Sequence, residues 1–176
     1  MKNSLLLRSA LALALATPLM ASAESQLVTG AGNAAARLDF RVIVPRVLFL
    51  GVGTGAAAAT PANNTTIDTV TFDYTANPAA VGTGAAAGTI TGNVVPVRVI
   101  GNNGQITLAA STTGALTNAS ADTIAWSEIT ATSNQAATLP SPVIPNTGAG
   151  AASNVSLSSG TKVTDRSANW TFSYAN

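Results

Sequence analysis

The chain has no cysteine and no histidine in 176 residues. The first absence excludes a disulfide staple, a thiolate nucleophile and a thiolate metal site. The second excludes the imidazole of a Ser-His-Asp triad and of most zinc centres. Charge is also scarce, with 9% of residues charged. There is no basic patch to hold nucleic acid or an anionic membrane surface. Aromatic residues make up 5% of the chain. No apolar run reaches the roughly 20 residues that a transmembrane helix needs.

The carboxylates do not read as a catalytic pair. Asp122 and Glu128 share strand parity, yet six strand residues separate side chains by roughly 20 Å at about 3.3 Å per residue. Glycosidase carboxyl pairs sit about 5–9.5 Å apart. Asp68 and Asp73 have opposite parity. The glycine-rich stretches lack the Lys-Ser/Thr ending of a phosphate loop, and no acidic loop has calcium-binding spacing. These features predict a non-enzymatic protein with no cofactor, no metal site, no catalytic residue and no nucleic-acid partner.

What is present begins with an export address. Lys2 and Arg8 precede or border an apolar run from Ser9 to Met20, and Ala21-Ser22-Ala23 gives the small-x-small pattern of a cleavage site. Residues 1–23 therefore read as a signal peptide. Its removal leaves six basic and seven acidic residues, a formal charge of −1. So little charge weakens repulsion between copies and favours self-association. The expected location is the periplasm in transit, then the cell surface or the extracellular medium.

Residues 24–36 read as a flexible tail and 37–176 as one β domain. Leu38, Phe40, Val42 and Val44 alternate with Arg37, Asp39, Arg41 and Ile43, which predicts a strand with one apolar and one largely charged face. Pro45 predicts a bulge or an edge. Arg46 to Val52 continues as a second apolar strand. Thr66 to Tyr74 turns Val70, Phe72 and Tyr74 inward. Val94–Ile100 and Gln105–Ala110 flank Gly101-Asn102-Asn103-Gly104, a hairpin signal. Thr123 to Thr132 reads as a strand carrying Ile124 and Trp126, Val155 and Leu157 mark another, and Ala168 to Ala175 places Trp170, Phe172 and Tyr174 on one face. Val52–Thr60 nearly repeats as Val81–Thr89, which reads as two similar loops rather than a solenoid, since a solenoid needs at least three units. The predicted fold is all-β: an antiparallel sandwich, immunoglobulin-like or jelly-roll, with an N-terminal donor strand as an option. A small β-barrel is the alternative.

Two segments carry a resemblance. Ala34 to Val44 and Asn169 to Tyr174 pair an alternating first strand with an alternating aromatic last strand, and this organisation resembles subunits of bacterial surface fibres of the chaperone–usher type. The segments Leu38–Pro45 and Trp170–Asn176 are also similar to a group of uncharacterised proteobacterial exported β proteins. The pilin resemblance implies an incomplete sandwich that receives a strand from its neighbour. It implies Leu38, Phe40, Val42 and Val44 as strand donor, and Trp170, Phe172 and Tyr174 as acceptor groove. Its partners would be other copies, a periplasmic chaperone and an outer-membrane pore. This chain departs from the pilin pattern in having no cysteine and in placing Tyr174 third from the end. The alternative function is a secreted monomeric sandwich that binds carbohydrate or extracellular matrix.

Overall fold

The computed structural model describes residues 25–56 and 60–174. The expected signal peptide lies outside them. The chain divides into two units, Met1–Val44 and Pro45–Asn176. In the first, the described residues carry no strand or helix, and Leu38, Phe40, Val42 and Val44 are between 71% and 85% exposed. The strand expected over Arg37–Val44 is thus not formed. An isolated strand has no ladder to satisfy its backbone, so alternation alone does not fold it. The compact β unit starts at Pro45, not at Arg37.

The second unit is all-β, with twelve strands among the described residues and three short 3-10 turns as its only helical elements. Its principal sheet has four antiparallel strands: β1 (Leu48–Val52), β4 (Val94–Gly101), β9 (Ile129–Ser133) and β12 (Thr164–Tyr174). Their spatial order is β1-β4-β12-β9. The other strands form two-stranded ribbons: β2 (Thr71–Asp73) with β3 (Thr89–Thr91), β5 (Ile106–Leu108) with β11 (Ser153–Val155), β6 (Ser111–Thr112) with β10 (Gly148–Ala149), and β7 (Leu116–Thr117) with β8 (Thr123–Ile124). All pairings are antiparallel, and no sheet closes into a barrel among the described residues.

Period-two patterning builds the core. Val95, Val97 and Val99 of β4 are buried, and the register sets Trp170 opposite Val95 and Ala168 opposite Val97 on β12. Opposed residues share a face. Leu139, Val155 and the partly buried Ile106 and Leu108 pack against that face, so the β5–β11 ribbon lies over the principal sheet. Pro96 has no N–H to donate. It sits just past the β1 ladder, which stops at Val52 opposite Val97. On the other face Arg98 and Asp165 form an ion pair at 3.2 Å, which raises the Arg98 pKa.

The hairpin expected at Gly101–Gly104 does not form. Both flanks of β4 are occupied, by β1 and by β12, so β5 pairs with β11 instead. Asn102 directs the change: its Nδ2 donates to the Pro45 carbonyl at 2.7 Å, and its Oδ1 accepts from the Val47 N–H at 2.9 Å. Gly104, at φ +108°, then carries the chain into the second layer. The strand expected over Thr123–Thr132 divides into β8, a 3-10 turn at Trp126–Glu128, and β9. Side-chain bonds hold that break, with Ser127 N–H donating to Asn146 Oδ1 at 2.9 Å and Trp126 Nε1 donating to the Gly114 carbonyl.

Candidate functional site

Two features of the second unit are open and apolar. One is the β1 edge. Its ladder sets Leu48, Leu50 and Val52 opposite Gly101, Val99 and Val97, so all three face the core side of the sheet. They are nevertheless 74%, 52% and 45% exposed. The opposite face is closed: a Cβ on Gly51 would lie 2.8 Å from the Ala56 backbone and 2.9 Å from the Phe49 ring. The 3-10 turn Gly53–Ala56 is folded against that face. It is held by Asp68, whose carboxylate accepts from Thr54 N–H at 2.7 Å. Beyond β1 the sheet has no further strand among the described residues.

The other feature is a groove of about 520 Å³ at the far side of the sheet, where β12 and β9 meet the β2–β3 and β7–β8 ribbons. Phe72, Tyr74, Trp126, Phe172 and Tyr174 line it, with Leu116, Ile124 and Ile129 completing an apolar wall. The Tyr174 ring centroid lies 6.1 Å from that of Phe72, tilted by 39°, and 6.1 Å from that of Tyr74, edge-on at 76°. Both distances lie within the favourable range for aromatic pairs. Two of the polar heads are engaged elsewhere. Tyr74 donates to the Ala85 carbonyl at 3.1 Å, and Trp126 to the Gly114 carbonyl.

Burial, then the bond to Glu128 and its negative charge, then the nearby Tyr74, hold the Tyr174 phenol above its ordinary pKa. A raised acid pKa means that the fold prefers the neutral phenol. That stabilisation is complete below the ordinary value near 10 and is lost as pH rises through the higher folded value. Ultraviolet titration is expected to show a late phenolate step that Tyr174→Phe removes. Persistence of the step in that variant would contradict the assignment.

The residues expected to form one acceptor groove are separated. Trp170 is buried in the core, while Phe172 and Tyr174 are half-buried and line the aromatic groove. β12 is also an interior strand: Trp170 pairs with Val95 on one side and Ser133 on the other. It therefore offers no free ladder at that point, and the acceptor role of Trp170 is corrected to a core role. The donor residues remain exposed and unpaired as strand.

Two groups of functional interest were not singled out by the sequence. They are the β1 stripe, and Phe72 with Tyr74 as groove walls instead of core. Trp126, expected on one strand with Ile124, sits in the 3-10 turn after β8 and is half-buried at the groove. The parity of Val70, Phe72 and Tyr74 was visible, but parity does not say where the covering layer ends. The described acids are held in local structure: Asp39 pairs with Arg37 at 2.7 Å, Asp73 accepts from Thr75 N–H at 2.8 Å, and Asp122 accepts from Asn118 at 2.7 Å. No cluster of three metal-ligating residues occurs among the described residues. Comparison with family models, curated proteins and solved structures gives no match.

Proposed function

We propose that this chain is an exported, non-catalytic structural protein that assembles with copies of itself by strand addition, as a subunit of a surface fibre. One observation carries the reading: a segment without strand or helix that exposes Leu38, Phe40, Val42 and Val44 occurs in the same chain as an edge strand whose Leu48, Leu50 and Val52 are also exposed. Added strands gain affinity from ladder bonds and specificity from alternate side chains. The acceptor in this reading is the β1 edge of a second copy. Each aliphatic side chain fully covered contributes about 1.5–3 kcal/mol. A head-to-tail contact of this kind, repeated, gives an open filament. A periplasmic chaperone covering the same edge in transit, and an outer-membrane pore for exit, fit this scheme.

A secreted monomer that binds carbohydrate or matrix is a second reading, favoured by the half-exposed rings of the aromatic groove. Sugar hydroxyls need polar partners as well as rings, and here the Trp126 indole N–H and the Tyr74 hydroxyl already donate to the protein. The test between the two is the mass of the purified chain as a function of concentration. The assembly reading expects growth with concentration that is lost when the donor segment is altered. A monomer at every concentration would contradict it.

A further inference from the structure

Charge in the β unit is sorted by sign along the strands. β4 runs from Val94 to Gly101, roughly 23 Å at about 3.3 Å per residue. At the Gly101 end lie Arg46, Lys162 and Arg166. Arg46 borders a cleft with Gly101, Asn103 and Gly104, the Lys162 carbonyl accepts from Gly104 N–H at 3.1 Å, and Arg166 stands opposite Val99. At the other end β12 passes Val94 at Thr171 and continues to Tyr174. The remaining unpaired acids are there. Asp68 holds the turn that follows β1, and Asp73 adjoins Phe72, whose ring meets that of Tyr174. Glu128 adjoins Ile129, the partner of Tyr174, and Asp122 precedes β8, whose Ile124 lines the same groove. The other two charges of the unit, Arg98 and Asp165, pair with each other.

The two ends stand farther apart than the Debye length of about 8 Å at physiological ionic strength, so each presents its own potential. Arg46, Lys162, Asp68, Asp73 and Asp122 are exposed. Arg46 and Lys162 form no ion pair among the described residues. A second copy of the chain fits both ends at once, because every copy carries both signs. We infer that copies meet end to end, the basic end of one (Arg46, Lys162) against the acidic end of the next (Asp73, Asp122, Glu128). The inference rests on the strand-addition reading and gives the added strand its direction. Asn102 holds the Pro45 carbonyl and the Val47 N–H, so the chain enters the β unit at the basic end with little slack after Val44. β1 starts at that end with Leu48, opposite Gly101, and runs to Val52. A donor leaving the basic end of one copy thus reaches Val52 of the next copy first. It lies parallel to β1, with Val44 beside Val52. An antiparallel donor would set two basic ends together, and like charges in a contact are costly.

Lys162 is the only lysine after Lys2, which makes the contact addressable with a carbodiimide that joins an amine to a touching carboxylate. Unlabelled and isotope-labelled chains are mixed at a concentration where the chain associates, cross-linked and digested. The expected hybrid product joins Lys162 of one copy to Asp73, Asp122 or Glu128 of another. Arg46→Glu combined with Lys162→Glu is expected to weaken association about tenfold at low salt, and high salt should weaken the parent similarly. For direction, Val44→Cys is oxidised in separate mixtures with Val52→Cys and with Leu48→Cys, and the Val52→Cys mixture should give more mixed disulfide. Absence of the hybrid cross-link while the parent associates, association indifferent to salt and to the charge reversal, or a preference for Leu48→Cys would each overturn the end-to-end contact and leave strand addition standing. A parent chain that stays monomeric would overturn the strand-addition reading and this inference with it. The cross-link and the salt series use the parent chain, so a poorly folded variant does not remove the test.

Discussion

Trp170→Ala is expected to destabilise the β unit by about 3–5 kcal/mol, the cost typical of truncating a buried aromatic ring. Trp170 is 6% exposed and lies between Val95 and Ser133 at the centre of the principal sheet. The core around it is small: Val95, Val97, Val99, Leu139, Val155 and Ala168 are its other buried members. With no disulfide to limit the unfolded chain, few contacts remain to offset the cavity. Whole domains are stable by only about 5–15 kcal/mol, so the variant should approach global unfolding. Trp170→Phe should cost much less, because the buried indole N–H has no hydrogen-bond partner and its removal relieves a desolvated donor. Urea denaturation of the three proteins checks this ordering. An alanine variant within about 1 kcal/mol of the parent would show that Trp170 does not anchor the core.

The second large effect concerns assembly. Phe40→Asp combined with Val42→Asp is expected to weaken self-association by at least about 100-fold, and Leu50→Lys on the acceptor strand should do the same. Four donor and three acceptor side chains give a gross stabilisation on the order of 10 kcal/mol. Association costs about 4–15 kcal/mol in lost freedom. The terms are close, so a charge buried in the stripe tips the balance. Sedimentation of the variants against the parent provides the measurement. Neither substitution site belongs to the core, so the thermal transition should be retained. Unchanged association in the donor variant would remove that segment from the interface, whereas unchanged association in Leu50→Lys alone would move the acceptor away from β1.

Much of the architecture could be read from alternation. The strands expected over Val94–Ile100 and from Ala168 onward became parts of β4 and β12, and Thr66–Tyr74 forms a ladder over Thr71–Asp73, because period two and β-branched residues are local properties. Errors arose where pairing is decided at long range. The Gly101–Gly104 turn has hairpin residues, yet β1 reaches one flank of β4 and β12 the other, and no local pattern reports that. Arg37–Val44 alternates as cleanly as any strand, but a strand exists only when another chain segment completes its hydrogen bonds. Trp126 stands two residues from Ile124 in what reads as a continuous strand; the break depends on Asn146 and Gly114, distant in sequence. The groove was the least legible feature. Its walls come from six separate strands or turns, and only the folded chain shows that Phe72, Tyr74, Phe172 and Tyr174 extend past the layer that covers Trp170.

The cysteine-free chain makes the central claim directly testable. Phe40→Cys and Leu50→Cys are introduced into separate preparations, mixed, and oxidised. The account predicts a mixed disulfide between the two variants in higher yield than either homodimer, since the donor segment of one copy is to lie beside β1 of another. Random pairing, or no cross-link at concentrations where the parent chain associates, would contradict strand addition at the β1 edge.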